Sequence, residues 1–205
     1  MLTTMKMRFV IIGIIMAGGL VFHLSSCGNK SKVNDEQSVI DQDTTKTTVH
    51  KTKENAFEGL RNMAFTTTPE MLGLSLPADK TIVYGVIMDW GMEGGTATSV
   101  SYQTGDASLY LSSGGGVIGG GQHQNVNNAA KQFVSLAQSF LDKTTKTEIT
   151  TLPSTDEVKF YLLTNKGIFV GQEQMKNFEN NSSPWLKLFE EGNNVLTELH
   201  KVSDK

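Results

Sequence analysis

The sequence predicts an α+β domain built on a single antiparallel sheet of about five strands, with helices packed on it. Three observations carry this. Two pairs of apolar, alternating runs are joined by the turn signals Thr104-Gly105-Asp106 and Asn165-Lys166-Gly167, and strands joined by tight turns pair antiparallel. Asn125–Leu141 places Val126, Ala129, Ala130, Phe133, Val134, Ala137, Phe140 and Leu141 on one helical stripe, which needs a sheet face to cover. The chain after Cys27 contains no cysteine, so the core must hold by packing without a disulfide.

The elements follow in order. Glu54–Ala64 reads as a short helix, with Phe57, Leu60, Met63 and Ala64 at helical spacing. Thr67-Thr68-Pro69-Glu70 is a capped start with proline at the first helical position, leading into one turn at Met71-Leu72. Thr81–Trp90 is a strand, apolar on both faces and therefore central. Thr96–Gln103 and Ala107–Ser112 alternate and make its neighbouring hairpin. After the helix at Asn125–Leu141, Glu157–Thr164 and Ile168–Gln172 form a second hairpin. Trp185–Val202 carries Leu186, Phe189, Val195, Leu196 and Leu199, interrupted at Gly192-Asn193-Asn194, and reads as one broken helix or two short ones. The expected order is helix, three strands, helix, two strands, helix. That order resembles the profilin-like and roadblock/longin groups of folds, which host many unrelated functions.

The N-terminus says where such a domain would sit. Lys6 and Arg8 precede an apolar run from Phe9 to Leu24, and Leu24-Ser25-Ser26-Cys27 follows. Charged head, apolar middle and small-residue cleavage site make a secretory signal peptide. The last four residues resemble the lipobox of bacterial lipoproteins. The resemblance implies acylation of Cys27, the only cysteine of the chain. A spanning helix is the competing reading, but the run is shorter than the ~20 residues a span needs. A secreted protein with Cys27 as a free thiol would be unusual in an oxidising compartment.

The expected organisation is therefore residues 1–26 as signal peptide, 27–53 as acylated cysteine and flexible tether, and 54–205 as one globular domain. The tether is rich in Ser, Thr, Asn, Asp, Gln and Lys, with too few apolar residues to offset its ordering entropy. Gly28 rather than Asp follows the cysteine, which favours the outer membrane of a cell envelope under one known sorting rule. The net charge is −3. Loss of Lys6 and Arg8 on cleavage makes the mature chain more acidic, which argues against a nucleic-acid or anionic-lipid partner.

Between the first hairpin and the best helix lies Ser112-Ser113-Gly114-Gly115-Gly116-Val117-Ile118-Gly119-Gly120-Gly121. Gly114, Gly116 and Gly119 fit G-x-G-x-x-G, and a glycine loop before a helix N-terminus can cradle a phosphate. The context differs from a dinucleotide site, which needs a parallel βαβ unit and an acid about 20 residues on. Gln122-His123 stands where a P-loop has Lys-Ser/Thr, and no Lys or Arg lies between Ser112 and Ala130. The structural expectation is that the glycines permit positive φ while Val117 and Ile118 plug into the core. The segment Leu109–Gly119, with Phe160-Tyr161-Leu162-Leu163-Thr164 downstream, resembles a recurrent bacterial domain spanning about Phe57 to Leu199. No activity is attached to that domain, so the resemblance implies no catalytic residues.

The supply of catalytic groups is thin. The mature chain has only His50, His123 and His200 as histidines, and no metal-ligand spacing. Neither a metal nor a cofactor is expected. Ser112 or Ser113 with His123 makes a nucleophile and base on paper, without a G-x-S-x-G elbow. Asp89 and Glu93 read as polar residues at a strand end. Two classes remain. One is a non-enzymatic envelope lipoprotein that binds a protein or small ligand, with Ser113, Gly114, Gly116, Gly119 and His123 as candidate contacts. The alternative is a hydrolase or phosphate-ligand enzyme using Gly114–Gly121 and His123, which a pocket joining Asp89, Glu93, Ser113 and His123 would favour.

Overall fold

The computed structural model describes residues 56–203. The expected signal peptide, Cys27, the tether, and Glu54 and Asn55 lie outside the described residues. In chain order the elements are α1 (Ala56–Thr66), a 3₁₀ turn (Glu70–Leu72), β1 (Val83–Met92), β2 (Gly95–Tyr102), β3 (Ala107–Leu111), β4 (Gly116–Val117), α2 (Gln124–Ala137), β5 (Thr145–Thr147), β6 (Glu157–Thr164), β7 (Gly167–Gln174), α3 (Met175–Glu179) and α4 (Leu186–Ser203). The strands form one antiparallel sheet in the order β4-β3-β2-β1-β6-β7-β5.

The sheet has seven strands, which corrects the expected five. The two additions, β4 and β5, have two and three residues. Runs that short carry no readable alternation. They close the two edges, and short edges are what limits unwanted strand addition. The order of elements differs as well, since β5 and the short helix α3 intervene. The likeness to profilin-like and roadblock/longin folds rested on the expected order. α2 now links strands at opposite edges, so its chain must traverse the sheet.

Both faces are covered. β1 and β6 lie at the centre and are buried on both sides, as the double-sided apolar run of β1 requires. On one face Val86, Met88, Val158, Phe160 and Leu162 pack under Phe133 of α2, Phe178 of α3 and Leu188, Phe189, Val195 and Leu199 of α4. On the other, Tyr84, Ile87, Val100, Tyr102, Tyr161 and Leu163 pack under Phe57 and Ala64 of α1 and the stretch Leu72, Leu74, Leu76. Thr68 Oγ1 accepts the Met71 N–H at 3.4 Å beside the 3₁₀ turn, whose N-cap position is held by Pro69 and not by a capping side chain.

α4 is one uninterrupted helix, not a broken one. Gly192 is a packing notch within it: a Cβ there would sit 2.6 Å from Met88 Sδ and 3.3 Å from Phe133 Cζ. The missing side chain lets the helix lie close on β1. A matching notch exists at Gly171 of β7, where a Cβ would fall 2.1 Å from the Trp185 ring. Trp185 stacks on Phe160 and Phe140, with centroids 5.4 and 5.5 Å away. Phe140 lies in a 3₁₀ extension of α2, Gln138–Lys143, where the sequence suggested continuous α-helix.

Candidate functional site

The glycine loop is shaped by backbone dihedrals that side chains resist. Gly114, Gly115, Gly116 and Gly119 have φ of 105, 82, 145 and 72°. At Gly116 a Cβ would also stand 2.1 Å from the Leu109 carbonyl oxygen, because the loop returns there to pair with β3 as β4. The loop is tied down on both sides. Ser108 Oγ accepts from the Gly119 N–H at 3.2 Å, and Asn127 Nδ2 of α2 donates to Gly121 O and Thr104 O at 3.2 and 3.3 Å. Ser112 Oγ accepts the Thr96 N–H at 2.7 Å, which engages that hydroxyl in holding β2.

Ile118 is 67% exposed, so the expectation that it plugs into the core is corrected; only Val117 packs against the core, and partly. Ile118 instead borders a groove of about 290 Å³ between the loop and α1. Its walls are Ala56, Phe57 and Leu60 from α1, Leu109, Tyr110 and Leu111 from β3, and the backbone of Gly114, Gly115 and Gly116. Apart from the Tyr110 hydroxyl, these side chains are apolar. Of the candidate contacts, Gly114 and Gly116 line the groove; Ser113, Gly119 and His123 do not. His123 is exposed, at the N-terminal boundary of α2, and its side chain does not cap the helix.

The strongest electrostatic feature is a buried ion pair away from the glycine loop. Asp89 is fully buried, its carboxylate gripped by Arg61 of α1: Nη2 lies 2.5 Å and Nε 3.1 Å from Oδ2. Thr98 of β2 donates to Oδ1 at 2.6 Å. The Arg61 guanidinium also lies 4.7 Å from the Phe65 ring centre and 5.8 Å from that of Tyr161. Burial raises the Tyr161 phenol, with the nearby Asp89 charge adding to it, and its hydroxyl donates to Thr151 O at 2.6 Å. Asp89 is thus not a strand-end surface group, and it cannot share a surface pocket with Glu93, Ser113 and His123. The sequence held a signal for the pair. Arg61 falls four residues after Phe57 and three before Ala64 on the buried stripe of α1, and Asp89 interrupts an otherwise apolar central strand.

No group of three or more His, Cys, Asp or Glu side chains converges among the described residues. No described helix is long and apolar enough to cross a membrane. Fold and site together define an antiparallel α+β domain with an enclosed charge pair and an apolar groove beside a glycine loop. The chain matches no protein-family model, no curated protein and no solved structure.

Proposed function

We propose that this protein is a bacterial cell-envelope lipoprotein, acylated at Cys27, whose domain is a non-enzymatic binding module with the groove beside the glycine loop as its ligand-contacting feature. The observation that carries the reading is the groove itself. Its walls are apolar side chains and glycine backbone, a lining suited to holding an apolar ligand or side chain. Asp89 and Ser112 serve the fold: Asp89 is paired with Arg61, and the Ser112 hydroxyl accepts a backbone N–H. The outer membrane is the favoured location, from Gly28 after the acylated cysteine.

Two measurements test the two halves separately. With radiolabelled palmitate, the wild type should take up label and Cys27→Ser should take up none; label retained by that variant, or absent from the wild type, refutes the anchor. For the groove, N-phenylnaphthylamine should brighten on binding the wild type, and Ile118→Glu on the exposed rim should abolish the signal while the melting temperature holds. Equal brightening by both proteins refutes the groove as the binding feature.

A further inference from the structure

We propose that the layer formed by α1, residues 67–76 and residues 149–152 rests on the phospholipid surface to which the chain is tied. The proposal depends on reading Cys27 as the lipid anchor; its own basis is an asymmetry in the domain. Among the described residues the exposed large apolar side chains are Met63, Met71, Ile118, Ile149 and Leu152, between 41 and 70% accessible. All of them belong to this layer or its rim. Met63 is carried by α1. Met71 stands in the 3₁₀ turn beside Leu72, which packs on the Tyr84 cluster, and the Tyr84 hydroxyl donates to Thr67 O at 2.8 Å. Ile118 borders the groove with Ala56, Phe57 and Leu60. Ile149 and Leu152 flank Thr151, whose carbonyl accepts from Tyr161 of the same cluster. The helices on the opposite face expose mainly lysine, at Lys131, Lys176, Lys187 and Lys201, with Glu179, whereas the charges exposed by α1 and the 3₁₀ turn are the acids Glu58 and Glu70.

The point of chain entry selects the occupant. Ala56, the first described residue, lines the groove in this same layer. It follows Cys27 by twenty-nine residues, a tie of at most roughly 100 Å even if fully extended. An acylated domain on such a tie meets the bilayer at high effective concentration, so a weak contact suffices. Isolated exposed apolar residues are ordinary on protein surfaces; what argues for a lipid contact is their restriction to the layer where the tie arrives. The attraction is apolar, since a net negative chain gains nothing from anionic headgroups.

The test uses the full acylated chain in vesicles of phosphatidylcholine and phosphatidylethanolamine. Acylation blocks Cys27, so Met71→Cys and Ile149→Cys each give one labelling site, with Lys187→Cys and Lys201→Cys as controls on α4. A polarity-sensitive label at positions 71 and 149 should shift to the blue and lose fluorescence to doxyl-labelled lipid, while labels at 187 and 201 stay aqueous. Protein that floats with the vesicles but shows equal response at all four positions, or none, overturns the proposal. Shielding from aqueous iodide at 71 and 149 without quenching by doxyl lipid marks a protein contact and overturns it too. Protein that fails to float refutes the anchor, and the proposal with it.

Discussion

Arg61 and Asp89 form a buried ion pair that joins α1 to the middle strand of the sheet, with Nη2 2.5 Å from Oδ2. The two side chains are 7 and 0% accessible. α1 is only eleven residues long and its buried stripe is Phe57, Arg61 and Ala64. An arginine at the centre of so small a contact fixes where the helix sits, because a shift along the sheet would strand both charges.

Removing either charge should therefore be costly. Arg61→Ala or Asp89→Ala is expected to destabilise the domain by about 3–5 kcal/mol, since each leaves the other charge buried without a partner. Replacing Arg61 by Met, Asp89 by Leu and Thr98 by Val together should recover most of that loss. Urea unfolding midpoints measure both. Midpoints unchanged in the single variants would show that α1 moves aside and lets water reach the remaining charge.

The buried tyrosines predict an alkaline limit to stability. Burial pushes the Tyr102 phenol up to about 12 and also raises Tyr84 and Tyr161. A tyrosine in the unfolded chain ionises near pH ~10. Above that pH the unfolded chain releases protons that the folded chain retains. Stability should be at its full value below about pH 10 and fall as the pH rises towards about 12. Tyr102→Phe should lower the neutral-pH plateau by about 0.5–1.5 kcal/mol, because Ala64 O loses the hydroxyl that donates to it. The same variant should flatten the alkaline decline. A melting temperature that falls as steeply as in the wild type would assign the loss to other groups.

Glycine substitutions should rank by what each new methyl meets. Gly119→Ala faces only its positive φ of 72°, with nothing within 4 Å, and should cost about 1 kcal/mol. Gly116→Ala adds a collision with the Leu109 carbonyl and should cost clearly more. His123→Ala should stay within about 0.5 kcal/mol, since the side chain is exposed and caps nothing. Thermal melts of the three variants give the ranking, and Gly116→Ala as mild as Gly119→Ala contradicts the β3–β4 pairing.

The two glycine notches should respond unequally. Gly171→Ala drives a methyl into the Trp185 ring, held between Phe140 and Phe160, and should cost about 1–3 kcal/mol or more. Gly192→Ala meets mainly Met88 Sδ and Cε, the movable end of a flexible side chain. It also gains about 1 kcal/mol of helix propensity, so its net effect should be small. Near-UV circular dichroism should report a disturbed Trp185 only in Gly171→Ala.

The sequence by itself determined the parts of this protein whose signals are local. Alternation and turn residues gave both hairpins, because side-chain direction in a strand repeats every two residues. The apolar stripe from Val126 to Phe140 marked the helix that covers the sheet, and the double-sided apolar run of β1 marked the centre. Tertiary structure decided what depends on residues far apart in the chain. β4 and β5 are strands only because β3 and β7 offer them hydrogen-bonding edges. Gly192 continues a helix because Met88 and Phe133 fill the space above it. Asp89 reads as a loop acid until α1 delivers Arg61 from twenty-eight residues away. Likewise the groove is made by α1 and a glycine loop that no sequence period connects. Local periodicity records which way a side chain points; only the packed chain records what it meets.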